Sequence, residues 1–280
     1  MSKSSRKKLI AVGCSYTESW NSWKSWPTVL AEKLDMDCVN LGRSGAGNQQ
    51  ILSNILDTAL FADGVARMDK KDIGLVVVMW SEWQRMGFQM YARNWHHWWN
   101  VQPMRHNPLP RGYRVPDFKK NVNDWAHNLL GAQNPHHTTQ ANFRIFIQAE
   151  KLLENIPRLY IQGCDVIGWY NTTTLKYVNC DEFSDNTEIE FTDVNDSRPK
   201  VVREVIRSPY FHDIDENISK YFIGWPIFQE LRGNCVNNIL DRIDPNRIKL
   251  RISESDSHPN SRGHRIIAQE IYDAYAKIYT

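Results

Sequence analysis

The chain has 280 residues, of which 41% are hydrophobic and 24% are charged, a composition typical of an ordinary soluble globular protein. Its 34 basic and 32 acidic residues give a net charge of +2, which argues against nucleic acid or an anionic membrane as a partner. No apolar run approaches transmembrane length, so no membrane span is expected.

Five cysteines without a Cys-x-x-Cys pair argue against a disulfide framework and for a reducing, cytoplasmic location, that of the host cell if the protein is viral. The length predicts one α/β domain over residues 1–280, with insertions at about 88–138 and 164–217. Residues 2–8 are basic and precede an apolar run too short for a signal peptide, so we interpret them as a solubilising arm.

The first strand and its turn organise the rest of the chain. Residues 9–12 predict a short buried strand that ends at Gly13, and Ser15 follows where the strand turns. At the carboxyl end of a central parallel strand, a serine lies in the crevice where α/β folds bind ligands. Cys14 should then face into the fold, because successive residues of an extended chain point to opposite sides. Taken alone, the same pattern also describes a serine that caps a helix.

Two helices and a strand follow this turn. Residues 27–34 predict a helix with proline in its first turn, residues 37–41 a short strand, and residues 49–62 a second helix. The small-residue loop at 42–48 joins the strand to the second helix. Its composition lets backbone N–H groups approach a ligand.

Polar donors are predicted in this loop and after the next strand. Gly45 is either a turn glycine or an oxyanion donor, and Asn48 is either a helix cap or a second donor. Residues 73–80 form an apolar run without alternation, which predicts a central parallel strand buried on both faces. Ser81 follows it as a further candidate donor, and Arg85 either binds substrate or pairs with a surface carboxylate.

Residues 88–138 are rich in tryptophan and histidine and are interrupted by prolines at 103, 108, 110 and 116, so regular elements should not run long there. We interpret the stretch as an irregular cap over the carboxyl edge of the sheet, with Trp95 and Trp98 as candidate substrate-binding residues. It is either a carbohydrate-binding lid or a self-packed aromatic cluster. No metal site is expected, because the histidines at 96–97 and 136–137 lack H-x-x-x-H or H-E-x-x-H spacing.

The following stretch alternates regular and irregular segments. Residues 139–156 predict an amphipathic helix, and residues 159–163 predict the next core strand. Residues 164–217 turn polar and acidic with short β-leaning pieces, which indicates an inserted hairpin or excursion. Residues 218–231 predict a kinked helix, with Trp225 as a wall of the site.

The last predicted strand, residues 247–252, leads into an Asp-Ser-His-Pro loop that precedes an amphipathic helix. Asp256 and His258 of this loop are, together with Ser15, the three residue types of an acyl-transfer triad. Serine is a poor nucleophile at neutral pH and needs an imidazole to take its proton, and the imidazole needs an acid to fix its tautomer. Glu254 is the alternative acid.

Three sequence blocks, in this order, resemble the SGNH (GDSL-like) hydrolase family: Gly-Cys-Ser at 13–15, Asn-Leu-Gly-Arg-Ser-Gly at 40–45, and the Asp-Ser-His-Pro segment at 256–264. The resemblance covers both ends of the chain well and the middle poorly. The sequence also resembles divergent variants of the family that occur in phages and marine microbes. It implies a three-layer α/β/α, flavodoxin-like fold with a parallel sheet of about five strands, and no metal or organic cofactor.

The chain departs from the family pattern at three places. Cys14 stands where the family usually has aspartate, and Asp256 precedes His258 by two positions in place of the commoner three. The block after the central strand, residues 79–83, lacks the Gly-x-Asn-Asp whose asparagine usually completes the oxyanion hole.

The resemblance implies ester or acyl hydrolysis. Ser15 would attack the acyl carbon, His258 would act as general base and then as general acid, and Asp256 would orient the imidazole. The N–H groups of Ser15 and Gly45 would stabilise the oxyanion. The expected substrate is a small-molecule or carbohydrate ester, and an O-acetyl group on a sugar suits the aromatic insertion.

Two other functions stay open, and the oligomeric state is unknown from the sequence. A carbohydrate-binding or virion-associated protein could keep the fold and lack efficient chemistry. A nucleotide-binding module could use the loop at 42–48, although that loop has neither phosphate-binding glycine pattern.

Overall fold

A parallel sheet of five strands forms the centre of the structure, a computed structural model that describes residues 6–19, 21–60, 69–92, 95–101, 135–164, 166, 198–253 and 256–280. The sheet contains β1 (Lys8–Val12), β2 (Asp37–Asn40), β3 (Ile73–Trp80), β6 (Arg158–Gln162) and β7 (Phe222–Ile223). Their spatial order is β2-β1-β3-β6-β7, and every neighbouring pair is parallel. Strands β4 (Met86–Ala92) and β5 (Trp95–Val101) form a separate antiparallel hairpin.

Helices flank the sheet. In the described ranges they are α1 (Trp26–Lys33), α2 (Asn48–Leu60), α3 (Pro135–Leu153), α4 (Arg198–Arg207), α5 (Pro209–Asn217), α6 (Val236–Ile243) and α7 (Ser261–Tyr279). Helix α1 packs against α7, and α2 packs against α3. None of the helices in this part of the chain combines the length and the apolar character that a membrane crossing requires.

The two central strands carry the core. The side chains of residues 9–12 in β1 and 75–80 in β3 have no exposed surface. Helices cover both faces of these strands, which is why their sequences are continuously apolar and do not alternate. Each fully buried leucine, isoleucine or valine contributes about 1.5–3 kcal/mol to folding. Both strands lie where the sequence predicted them.

The strand order creates a crevice beside β1. From β1 the chain passes through α1 to β2 on one side, and then through α2 to β3 on the other side. Because such connections are right-handed, α1 and α2 lie on opposite faces of the sheet, which gives the predicted three-layer arrangement. Ligands of α/β folds bind where the winding direction reverses, at the carboxyl ends of the strands. Ser15 and Ser81 follow the two strands that meet there.

The expectation of an irregular segment at 88–138 is wrong for its first part. Met86–Ala92 and Trp95–Val101 pair over their whole length as a hairpin. The prolines of the segment all lie after Val101, so they leave these strands uninterrupted. Aromatic residues, in which both strands are rich, also favour β-structure. Residues 102–134 lie outside the described part of the chain.

Three further expectations are corrected. A hairpin or excursion was predicted for residues 164–217, but the end of this segment is helical, as α4 (198–207) and α5 (209–217). The β-leaning pieces of the segment lie outside the described residues. Residues 218–231 do not form a kinked helix but two short 3₁₀ turns around β7. The predicted strand at 247–252 is not a strand, since its only ladder contact in the described residues is a single bridge between Arg251 and Pro259.

Candidate active site

Ser15 lies on a tight turn at the carboxyl end of β1. The carbonyl of Cys14 accepts hydrogen bonds from the N–H groups of Thr17 (2.9 Å) and Glu18 (3.1 Å), so the chain turns within one residue of the strand. Glycine is required at position 13, because a Cβ atom there would lie 2.2 Å from Oγ1 of Thr17. The turn therefore holds the Ser15 side chain, which is 9% exposed, at the edge of the crevice.

The side chains of Ser15, His258 and Asp256 form one continuous chain of contacts. Oγ of Ser15 lies 2.8 Å from Nε2 of His258, although the two residues are 243 positions apart. Nδ1 of the same imidazole lies 2.6 Å from Oδ1 of Asp256. The contacts predicted for these three residues are present. Glu254, the alternative acid, lies outside the described residues.

The loop that carries Asp256 and His258 is fixed at its base. The N–H of Ile252 donates to the carbonyl of His258 (2.9 Å). Nδ2 of Asn260 donates to the carbonyls of Lys249 (3.0 Å) and Arg251 (2.8 Å), while Oδ1 of Asn260 caps the first turn of α7. The loop is thereby held to both the preceding segment and the following helix.

The small-residue loop packs beside the nucleophile turn. The N–H of Arg43 donates to the carbonyl of Gly13 (3.0 Å), and the N–H of Ser44 donates to Oε2 of Glu18 (2.6 Å). Gly45 adopts a φ of +79°, in the left-handed region that favours glycine, and a Cβ atom there would meet nothing within 4 Å. Open space therefore lies beside Gly45, on the loop that adjoins Ser15.

Asn48 has a structural position that conflicts with its prediction as an oxyanion donor. It is 1% exposed and begins α2. Its Nδ2 donates to Oδ1 of Asn142 (2.7 Å), and its Oδ1 accepts from the N–H of Ser81 (2.8 Å). Both ends of the amide are therefore engaged inside the protein, and Asn48 ties α2 to α3 and to the end of β3.

Ser81 is also misplaced for the predicted donor role. Its side chain has no exposed surface, and its carbonyl accepts from Nε2 of Gln162 (2.9 Å). The residue is therefore part of the packing beneath the site and does not present its hydroxyl to the crevice.

Arg85 forms an ion pair, which is one of its two predicted roles, but the pair is not on the surface. Its Nε and Nη2 donate to the two carboxylate oxygens of Glu82 at 3.0 and 3.1 Å, and the Arg85 side chain is only 9% exposed. Burial lowers the pKa of the guanidinium, but the neighbouring thiols of Cys164 and Cys14 and the Glu82 carboxylate raise it overall, so Arg85 stays charged.

Cys14 points into the fold, as predicted. It has no exposed surface, whereas its neighbour Ser15 contacts His258. A hydrogen bond from Cys164 and the charge of Arg85 lower the pKa of the Cys14 thiol, against the effect of burial. This sulfur therefore belongs to a buried polar cluster beneath the nucleophile turn.

The aromatic residues predicted to bind substrate have mixed positions. Trp225 stacks on Phe211 with a centroid distance of 5.3 Å and donates its indole N–H to Asp215 (2.6 Å), so it packs against α5. Trp98 is half-buried and lies over Gly87 in the hairpin. The side chain of Trp95 lies outside the described residues. Among the described residues, no three histidine, cysteine, aspartate or glutamate side chains are grouped to hold a metal ion.

The sequence prediction omitted two buried polar residues near the site. Nδ1 of His264 accepts from the N–H of Trp26 (3.2 Å) at the start of α1. Burial, together with the charge of His258, lowers the pKa of His264 to about 4, which keeps the imidazole neutral. The hydroxyl of Tyr16 reaches α6 and the loop before His258. Their only sequence signal was their position, Tyr16 directly after the Gly-Cys-Ser block and His264 at the end of the 256–264 segment.

No family model and no curated protein matches the chain. A lipolytic protein of the G-D-S-L family from Veillonella parvula matches with 14% identity over 97% of this chain and 100% of its own, at a TM-score of 0.45. The chain is similar to lipolytic proteins of the GDSL type. An α/β hydrolase from the Lake Arreo metagenome shares 12% identity over 99% of this chain and 98% of its own, at a TM-score of 0.46. A mutant acetyl-xylooligosaccharide esterase from Geobacillus shares 13% identity over 96% of this chain and 94% of its own, at a TM-score of 0.44.

Proposed function

We propose that this chain is a serine esterase of the SGNH type that hydrolyses a small ester or acyl group. One observation carries the proposal: the unbroken contacts from Oγ of Ser15 through the imidazole of His258 to the carboxylate of Asp256. These are the groups and the distances that general-base activation of a serine requires.

The mechanism follows from the direction of the hydrogen bonds. With Nδ1–H of His258 donated to Asp256, Nε2 carries the lone pair that accepts the proton of Ser15. Oγ then forms a bond to the acyl carbon, and the imidazolium returns this proton to the leaving alcohol. Water attacks the acyl-enzyme with His258 as base again, which releases the acid and restores Ser15.

The oxyanion would be stabilised by backbone groups. The N–H of Ser15 and that of Gly45 are the proposed donors, because the loop of Gly45 is hydrogen-bonded to the turn of Ser15. Asn48 and Ser81 are not retained in this role, since both side chains are buried and Nδ2 of Asn48 is bonded to Asn142.

The proposed substrate is a small-molecule or carbohydrate ester, such as a sugar O-acetyl group. The hairpin carries aromatic residues and is anchored directly to the loop beside the nucleophile. Oδ1 of Asn100 accepts from the N–H of Gly47 (3.1 Å), and Nδ2 of Asn100 donates to Gln50 (2.7 Å). Aromatic faces such as that of Trp98 pack well on sugar rings.

A second candidate is a binding protein of the same fold with little or no catalysis. The observation that favours it is the burial of Ser81, which stands where the family usually places an asparagine donor and contributes no donor to the crevice. Such a protein would bind a carbohydrate and leave its ester intact.

A fluorophosphonate probe separates these functions. We expect one covalent adduct on the wild-type chain by intact mass, and none on Ser15→Ala. Ser219→Ala, in a remote 3₁₀ turn, is the control and should label like the wild type. If the folded wild type forms no adduct at any pH, the hydrolase is refuted and the binding protein is favoured. Acetate release from p-nitrophenyl acetate and from acetylated xylooligosaccharide then tests the substrate class.

A further inference from the structure

Tyr16 follows Ser15 in the sequence, and its side chain contacts residues from the carboxyl-terminal part of the chain. Its side chain is 4% exposed, and its hydroxyl lies 2.9 Å from Oδ1 of Asn237 in α6. The same hydroxyl lies 3.2 Å from the carbonyl and 3.4 Å from Oγ of Ser257. Burial raises the pKa of the phenol above its usual value, so the group stays a protonated donor.

The residues that accept hydrogen bonds from this hydroxyl are held in place by Arg251. Arg251 is 1% exposed, and its Nη1 donates to the carbonyl of Ser257 (2.8 Å). Nη2 of Arg251 donates to Oδ1 of Asp241 (2.9 Å) and to the carbonyl of Asn237 (3.3 Å). The acceptors of Tyr16 therefore belong to a buried, charge-assisted network that joins α6 to the loop.

The ring of Tyr16 contacts the imidazole as well. The two ring centroids lie 5.2 Å apart at an interplanar angle of 64°, an edge-to-face contact with His258. Two adjacent residues of the turn thus meet two adjacent residues of the loop, because Ser15 contacts His258 and Tyr16 contacts Ser257.

We infer that Tyr16 is a positioning residue for the proposed acyl transfer, which fixes the segment of Ser257 and His258 against the turn that carries Ser15. The inference rests on the proposed function. The bonds of the imidazole to Ser15 and Asp256 hold its two ring nitrogens and give one attachment of the loop to the turn of the nucleophile. The hydroxyl of Tyr16 adds a second point of attachment one residue away, and its ring limits the tilt of the imidazole.

The size of the expected effect follows from geometry. A displacement of about 1 Å at reacting groups can cost on the order of 10²-fold in rate. Tyr16→Phe keeps the ring contact and removes only the hydroxyl bonds, so we expect kcat and the labelling rate constant to fall about 10-fold with KM little changed. A residue with a purely structural role would lower the melting temperature and leave kcat of the folded molecules unchanged.

The experiment compares Tyr16→Phe with Tyr160→Phe, a matched control. Tyr160 lies on β6, is 1% exposed and donates its hydroxyl to Oε2 of Glu150 on α3 (2.9 Å), away from the loop. Fluorophosphonate labelling, kcat and KM are measured for both, and the Nδ1–H proton of His258 is followed by NMR. We expect slow labelling and a broadened or shifted Nδ1–H signal for Tyr16→Phe alone. Asn237→Ala removes the acceptor from the other side and should act in the same direction.

The outcomes separate the two proposals. If Tyr16→Phe and Asn237→Ala both label as fast as the wild type and keep its Nδ1–H signal, the positioning role is refuted. If the wild type does not label at all, the proposed esterase fails, and the NMR comparison still decides whether Tyr16 fixes His258. An equal loss in Tyr160→Phe also overturns the inference, since the effect would then be general to buried tyrosines.

Discussion

Asp256 and His258 are joined twice through a single carboxylate oxygen. Oδ1 of Asp256 accepts from the backbone N–H of His258 at 3.0 Å and lies 2.6 Å from Nδ1 of its ring. The two-residue spacing is therefore sufficient, because the carboxylate turns back over its own loop. The double contact fixes the tautomer with the proton on Nδ1 and leaves Nε2 to face Ser15.

We predict that Asp256→Asn lowers kcat by up to about 10⁴-fold and leaves the fold intact. The amide removes the negative charge that stabilises the imidazolium and can present its NH₂ group to the ring, which favours the wrong tautomer. The measurement is kcat with an activated ester, together with thermal unfolding by circular dichroism. Asp213→Asn, at an exposed position of α5, should keep normal kcat. A near-normal rate in Asp256→Asn would assign the acid elsewhere, and Glu254→Gln would then be the variant to test.

We predict that Cys14→Ala keeps most activity, whereas Ser15→Ala loses nearly all of it. Cys14 is fully buried, and the turn depends on its backbone carbonyl, which alanine retains. Both variants are compared by ester hydrolysis and by probe labelling. The opposite result, activity in Ser15→Ala and none in Cys14→Ala, would indicate a thiol mechanism.

We predict that protein stability falls as the pH drops from about 6.5 to about 4, in part because of His264. The pKa of this imidazole is lowered from 6.5 to about 4 in the folded chain, so the unfolded chain takes up the proton first as the pH falls. The free energy of unfolding is therefore unaffected by this group above pH 6.5, and it declines by up to about 3 kcal/mol towards pH 4.

Urea unfolding at several pH values measures this effect. His264→Asn removes the titrating group and should flatten the slope between pH 6.5 and pH 4, whatever its own cost in stability. His212→Asn, at an exposed position of α5, should keep the wild-type slope. An unchanged slope in His264→Asn would mean that other groups account for the pH dependence.

We predict that Asn142→Ala destabilises the protein by about 1–3 kcal/mol. Asn142 accepts from Asn48 (2.7 Å) and donates to the carbonyls of Trp83 (3.1 Å) and Thr138 (2.8 Å), so its removal leaves buried polar groups without these partners. For a chain of this size, a loss of that magnitude lowers the melting temperature by several degrees. Asn217→Ala, whose hydrogen bond to Asp213 is exposed, should shift the melting temperature by much less.

The sequence predicted the parts of the fold that are encoded locally. The strands β1 and β3 and the helix α7 have long patterns of apolar residues, and Ser15 and His258 lie at the ends of such patterns. Strand β7 could not be predicted, because two residues are too few to show a period. Residues 247–252 have a β-like composition, but in the described part of the chain they pair only through the bridge between Arg251 and Pro259 and otherwise form bends.

Polar partners were harder to predict than strands. Ser81 and Asn48 have the chemistry of oxyanion donors. Burial excludes Ser81, and burial together with the bond to Asn142 excludes Asn48. For Tyr16 the sequence contained no indication of a role, since its partners lie more than 200 positions away and no spacing rule connects them. Residue type is read from the sequence, whereas the direction of a side chain depends on long-range packing.

The separation of 243 positions between Ser15 and His258 has a consequence for folding kinetics. Closing a flexible loop of that length costs roughly 5 kcal/mol of chain entropy, and contacts so distant along the chain slow the folding reaction. Helical signal can return while the two ends are still apart, since helices such as α7 depend on local contacts. After dilution from urea, the far-ultraviolet circular dichroism signal should therefore recover before Ser15 reacts with a fluorophosphonate. The delay between the two signals would measure how long the distant segments of the chain take to come into contact.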